Sequence, residues 1–186
     1  MVREMPGGCP PQELAPQEPF PSVAQRFYLI GRFLQVRPTP EAIDAFVAAY
    51  PGFEAPDAQA VADDNLRLFV GLGMPIAPLW ESTWASDARL LFQRQTLDVR
   101  YWYRSAGLQV AALHREPDDH LGLELEFIGT LLDRGDRNTA VAFAQEHPCA
   151  WVARWNEAVQ RHAATPFYRH LAAEAASLLA LLDERG

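Results

Sequence analysis

Within Glu116-Pro117-Asp118-Asp119-His120 the chain gathers three carboxylates and an imidazole, directly ahead of a leucine-rich run over 121–132. Three chemistries suit such a group: a metal site, an acid/base pair, or the charged start of a helix. Metal binding fits poorly. Asp118, Asp119 and His120 are consecutive, so on a helix they fan out by about 100° each and cannot face one ion. Helical zinc sites pair His or Glu at i, i+3 or i, i+4, and His114, His147, His162 and His170 show no ligand spacing. A helix start fits well. Pro117 suits N1, which puts Asp118 and Asp119 in the first turn, where each carboxylate gains about 0.3–1 kcal/mol from the exposed amides and the macrodipole. His120 then reads as a helix-terminal hydrogen-bonding residue.

Other catalytic patterns are missing. Ser82 lacks a G-x-S-x-G frame. Gly71-Leu72-Gly73 continues to Met74-Pro75, so it is neither a dinucleotide fingerprint nor a phosphate loop. Arg134-Gly135-Asp136 reads as the turn after a helix. The expectation is a protein without a self-contained active site, metal or cofactor; a nucleotide-binding enzyme using the acidic corner is the weaker alternative.

The helix behind the acidic corner must be central. Leu121, Leu125, Ile128 and Leu132 form one stripe, and Leu123, Phe127 and Leu131 a second. Gly122 and Gly129 stack on a third side, where another backbone can approach closely. Glu124 falls between the stripes; buried there, it needs an arginine or hydroxyl partner.

The remaining signals divide the chain into further helices. Ser22 caps a first helix that Arg37-Pro38 ends, Thr39-Pro40 opens a second that Pro51-Gly52 stops, and Asp57 caps a third running to Phe69. Thr96 is read as the cap of the next, with Gly107 at C′. Asn138, the stretch after Pro148, and Thr165-Pro166 begin the last three. Gly107–His114 is the only mild strand candidate. The fold class is all-α: a single-domain bundle of about eight to ten helices over 22–186, after a flexible Pro-rich tail over 1–21. One segment, 70–87, breaks the pattern with Gly71, Gly73, Pro75, Pro78, Trp80 and Trp84. It is too apolar for a solvated connector. It either plugs the core or forms an apolar rim for a partner.

Composition narrows the function classes. A formal charge of −8 disfavours sequence-independent nucleic-acid binding. Cys9 and Cys149 form no CxxC, which fits a reducing compartment. No apolar run reaches the ~20 residues of a membrane span, and the prolines of the first 21 residues leave no room for a signal-peptide core. A cytoplasmic protein with no membrane insertion is expected.

Taken together, "NLRLFVGLGMPIAPLWESTW" (65–84), "LDVRYWYRSAGL" (97–108), "EPDDHLGLELEFIGTLL" (116–132), "HPCAW" (147–151) and "TPFYRHLAAEA" (165–175) resemble the TorD/DmsD family of cytoplasmic redox-enzyme maturation chaperones in order and approximate spacing. The resemblance covers about residues 22–182 and is nearest to DmsD-like members. It implies an all-helical chaperone that binds the twin-arginine signal peptide of a molybdopterin-containing oxidoreductase, holds the precursor during cofactor insertion and delays its export, with the export machinery as a further partner. A maturation factor for a mature, non-exported metalloenzyme is the alternative. By resemblance, Trp80, Ser82 and Trp84, with Asp119 and His120, become peptide-contact candidates, and Arg100 and Trp102 match the family's preceding helix. A twin-arginine leader presents two cations and then an apolar segment. A receptor therefore needs carboxylates beside an apolar groove; Glu116, Asp118 and Asp119 offer the former and Leu79, Trp80 and Trp84 the latter. Three features depart from the pattern: Pro148 where an aliphatic residue commonly follows the histidine, the extra charge of Glu81, and the N-terminal tail.

Overall fold

Capping chemistry sets the helix starts, and the computed structural model, which describes residues 2–4, 21–50, 53–54, 56–71, 73–85, 90–110 and 116–183, shows where it does so. Helix α1 (Val23–Gln35) opens on a reciprocal capping box between Ser22 and Gln25. Thr39 and Pro40 start α2 (Pro40–Ala49) as expected, and Asp57 caps α3 (Ala58–Asn65). The third helix runs on through a π-helical turn, Leu66–Val70, to Gly71 at φ 64°. Then follow α4 (Arg94–Ser105), α5 (Leu121–Asp133), α6 (Arg137–Glu146), α7 (Val152–His162) and α8 (Pro166–Asp183). Gly107 and Gly135 take the positive φ, 75° and 74°, that ends α4 and α5.

Three helix starts differ from the sequence reading. Helix α5 begins at Leu121, not at Pro117: His120 is its N-cap, and Pro117–Asp119 form a turn ahead of it. The shift arises because His120 is extended and bridged to Trp80, while its Nδ1 accepts the Gly122 amide at 3.0 Å. Thr96 lies inside α4, which starts after Gln93, so its hydroxyl is free to donate elsewhere. Asp136, rather than Asn138, caps α6 by accepting from the Thr139 amide.

Helix α5 is the axis of the bundle. Both of its apolar stripes are buried except at the half-buried Leu132, and its principal partner is α1. The glycine side takes the approach expected of it. A Cβ on Gly122 would lie 2.5 Å from the Gly31 carbonyl oxygen, and one on Gly31 would lie 2.7 Å from that of Gly122. Tyr28 of α1 donates to Thr130 of α5 at 3.0 Å, which fixes the register of the pair. Phe27, Ile30, Phe46, Phe127, Phe143, Trp155 and Phe167 fill the core around it.

Asp64 locks α3 to the corner between α7 and α8. It accepts the amides of Ala164 (3.1 Å) and Thr165 (2.9 Å), the Thr165 hydroxyl (2.8 Å) and the Arg67 guanidinium (2.7 Å). Burial raises the cost of its charge, but these four donors outweigh burial and hold its pKa below the ordinary carboxylate value.

One short antiparallel pair joins β1 (Val2–Glu4) to β2 (Leu108–Val110), the latter inside the segment with mild strand character. The expected tail over 1–21 otherwise lies outside the described residues, apart from Pro21.

Candidate functional site

The apolar loop and the acidic corner meet edge to edge. Ala77 donates to the Leu68 carbonyl at 2.8 Å, which returns the loop to the body after its glycine-proline excursion. Leu121 then donates to Leu79 (2.7 Å) and Glu81 to Asp119 (3.0 Å), so Leu79–Glu81 lie antiparallel to Asp119–Leu121 around the Trp80–His120 bridge. A 3₁₀ turn at Glu81–Thr83 follows, closed by the Thr83 hydroxyl on the Trp80 carbonyl at 2.6 Å. Ala77 and Leu79 are core, whereas Met74 is 60% exposed: the loop plugs at one end and projects at the other.

Each sequence candidate has a defined place in this junction. Asp119 is fully buried; one carboxylate oxygen accepts the Ser82 amide (2.8 Å) and the other the Thr96 hydroxyl (2.6 Å). Asp118 is held by Arg100 of α4 through Nε (3.0 Å) and Nη2 (2.6 Å), and its carbonyl accepts the Tyr103 hydroxyl at 3.0 Å. Glu116 accepts the Trp80 indole at 2.7 Å, and the Trp80 ring stands edge-on to His120 at 5.6 Å. Trp84 donates its indole to the Pro78 carbonyl at 2.9 Å and stacks near-parallel on Trp151 at 6.2 Å. Trp102 is half-buried against Phe143 and His147. Ser82 is buried, and its hydroxyl has no partner. Thus Trp80, Ser82, Glu116, Asp118, Asp119, His120 and Arg100 form one bonded assembly, with Trp84 and Trp102 on its flank.

The acids do not all face outward. The Asp118 and Asp119 carboxylates are taken up by the α4 and loop contacts, and of the three acids only Glu116 is partly exposed. Glu116 and His120 border a cleft of about 340 Å³ whose lining includes Arg32, Val36, Val110, Leu123 and Glu126. Burial raises the Glu116 pKa, the Trp80 hydrogen bond moderates that rise, and the Asp119 charge adds to it. Burial pushes His120 down to about 3, so its imidazole is neutral. With Nδ1 accepting from Gly122, the neutral ring carries its proton on Nε2.

Sequence reasoning missed several supports. Thr96 and Tyr103 reach the acidic corner from α4; the sequence reads the first as a helix cap, and nothing in it singles out the second. Glu81 was visible as a departure from the family pattern, and His147 as the histidine that Pro148 follows. They are partners: His147 Nδ1 lies 2.9 Å from Glu81 Oε2 in the interior. Glu124 is fully buried, but the arginine or hydroxyl it was expected to need is not bonded to it; Glu81 and the Trp151 indole are the hydrogen-bonding groups that face it. Burial pushes its pKa well above the ordinary value, and the nearby Glu81 and Asp119 charges push it further, against the Trp151 indole. Among the described residues no group of three or more His, Cys, Asp or Glu is placed to hold a metal ion, and no helix is long and apolar enough to cross a membrane.

The structure is an all-helical bundle in which the tryptophan loop is laced to an acidic turn at the start of the central helix. The chain belongs to the TorD/DmsD family: the family model described as nitrate reductase delta subunit matches residues 36–157, which include the loop, α4, the acidic turn and His147. It is 32% identical over 105 residues to the Tat proofreading chaperone DmsD of Salmonella paratyphi A, covering 56% of this chain and 52% of that protein. The chaperone protein TorD of Aliivibrio fischeri is 26% identical over 135 residues, covering 64% of this chain and 63% of that one. The chain therefore spans about half the length of the DmsD relatives it matches. A crystal structure of a redox enzyme maturation protein from Archaeoglobus fulgidus shares the fold, with a TM-score of 0.61 at 17% identity over 91% of this chain and 99% of that one.

Proposed function

We propose that this protein is a redox-enzyme maturation chaperone that binds the twin-arginine signal peptide of a molybdopterin-containing oxidoreductase, keeps the precursor from export and assists its folding while the cofactor is inserted. The observation that carries this reading is the cleft beside the loop–turn junction. There Glu116 and Glu126 line the same opening as Val36, Val110 and Leu123, and Trp80 is bonded to its rim. A leader with two guanidinium groups and an apolar segment needs such a mixture: carboxylates for charge-assisted hydrogen bonds and apolar surface for the segment that follows. The relatives' names as a proofreading chaperone and a chaperone support the same role, and they point to binding rather than catalysis.

In this reading Glu116 and His120 contact the peptide at the cleft. Asp118, Asp119, Arg100 and Ser82 position the loop, while Trp84 and Trp102 brace it. The protein acts in the cytoplasm, where the precursor is made. Titration calorimetry with leader peptides from molybdoenzymes of the same genome tests it, each paired with an Arg-Arg→Ala-Ala control. Micromolar binding lost in the control is expected. Folded protein that ignores every leader would overturn the proposal.

A further inference from the structure

Strand β1 lies beside the cleft. It pairs antiparallel with β2 in the register Val2↔Val110, Arg3↔Gln109, Glu4↔Leu108, and it also packs on α5. Both of these neighbours wall the opening: Val110 comes from β2, Leu123 and Glu126 from α5, and His120 from the α5 cap. Among the described residues β1 is the only strand that pairs with β2. It therefore covers the edge of β2 next to the opening that Glu116 borders.

A pair of strands three residues long is marginal in water, so β1 is a displaceable cover. An uncovered strand edge leaves amides and carbonyls in need of partners. Whatever displaces β1 must supply those bonds. An extended peptide can do so, whereas a helix satisfies its backbone internally. The edge also discriminates between side chains. Leu108 and Val110 are each 1% exposed and Gln109 is half-buried. Residues opposite one another in an antiparallel pair share a face, so the position opposite Val110 is on the core side of the ribbon and the position opposite Gln109 on the other. In β1 these registers belong to Val2 and Arg3. An apolar residue next to an arginine is the combination that a twin-arginine leader also offers.

We propose that the edge of β2 is a strand-addition site for an extended, arginine-bearing peptide, and that β1 is its internal occupant, which the peptide displaces. This rests on the peptide-binding reading and deepens it by naming the mode of recognition and a competitor within the chain. Main-chain hydrogen bonds to Leu108–Val110 hold the peptide, and Glu116 and Glu126 in the adjoining cleft favour cationic side chains on it. The measured affinity is then the affinity for the open edge multiplied by the fraction of molecules in which β1 has left it.

The test is titration calorimetry of the full chain with a synthetic peptide carrying Arg-Arg before an apolar stretch, comparing wild type with two variants. The first combines Arg3→Pro with Glu4→Pro. Successive amides of a strand alternate in direction, so one of the two prolines removes a donor to β2, and affinity should rise about tenfold. The second combines Arg3→Cys with Gln109→Cys in a Cys9→Ser, Cys149→Ser background. Opposed residues of an antiparallel pair stand about 4.5–5.5 Å apart at Cα, within the span of a disulfide. Oxidised, this staple should weaken binding at least about tenfold, and reduction should restore it. The reduced form is its own control for folding, so the staple decides the matter even where the proline variant is misfolded. Unchanged affinity in a folded proline variant, or equal binding by the oxidised and reduced staple, overturns this inference and leaves the chaperone reading standing. Absence of binding by every form overturns both.

Discussion

At the scale of single residues, Asp119 ties the tryptophan loop to α4. Its two oxygens join the loop through the Ser82 amide and α4 through the Thr96 hydroxyl, while its carbonyl takes the Glu81 amide. In Asp119→Asn, the new amide can donate to a reversed Thr96 hydroxyl, so the loss is the charge assistance of the two bonds. We expect a destabilisation of about 1–2 kcal/mol with helicity retained, read from the denaturant midpoint. A midpoint unchanged from the parent would show that this carboxylate does not hold the loop. Its neighbour Asp118 reaches only α4, through Arg100 and Tyr103, so the two adjacent acids serve different joints.

At the scale of elements, the α1–α5 pair is set by glycines whose backbones touch. A methyl group at Gly122 would meet the Gly31 carbonyl at 2.5 Å and the Gln35 side chain at 2.8 Å. The side chain can move, but the carbonyl cannot without shifting a helix. Gly122→Ala should therefore cost about 1–3 kcal/mol, by the ordinary penalty of overpacking. Gly129→Ala should cost less, since its nearest contact is the Ala24 carbonyl at 3.1 Å. Paired thermal melts would rank the two, and the reverse order would refute the close-packing account. This face was legible in the sequence because i, i+7 spacing places both glycines together. The starts of α1, α2 and α3 were legible too, since Ser22, Thr39 and Asp57 cap through local bonds. The start of α5 was not. Local rules favour Pro117 at N1, but the long-range bridge from Trp80 holds His120 extended and moves the first turn four residues on. Thr96 misled for the same reason, because its hydroxyl serves Asp119, 23 residues away, rather than its own helix. In the candidate site, the residue types were readable, whereas the inward aim of Asp118 and Asp119 depends on partners that only folding brings together.

At the scale of the whole molecule, two buried groups of opposite habit shape stability against pH. His120 has its folded pKa depressed to about 3, so its contribution is complete above the unfolded value of 6.5 and is lost as pH falls toward 3. Glu124 is shifted the other way. Its contribution is complete below the ordinary 4.5 and is lost as pH rises toward its elevated folded value. Each slope is about 1.4 kcal/mol per pH unit, and between 4.5 and 6.5 they oppose one another. Chemical denaturation across pH should show a broad maximum in that window and a decline above it. Glu124→Gln should level the alkaline side and keep the acid side, whereas a decline that persists in the variant would assign it to another group.

The tryptophan turn is also fastened from the far end of the chain. Glu81 is joined to His147, and Trp84 to Trp151 and Arg154. During synthesis the N-terminal partners Asp119 and His120 emerge first, so a nascent chain can pair its loop with the acidic turn and still lack the second set of fastenings. The junction reaches its full set only when residue 154 has left the ribosome and folded back. The order of translation thus delays the full set of fastenings on the tryptophan turn until most of these residues have been made.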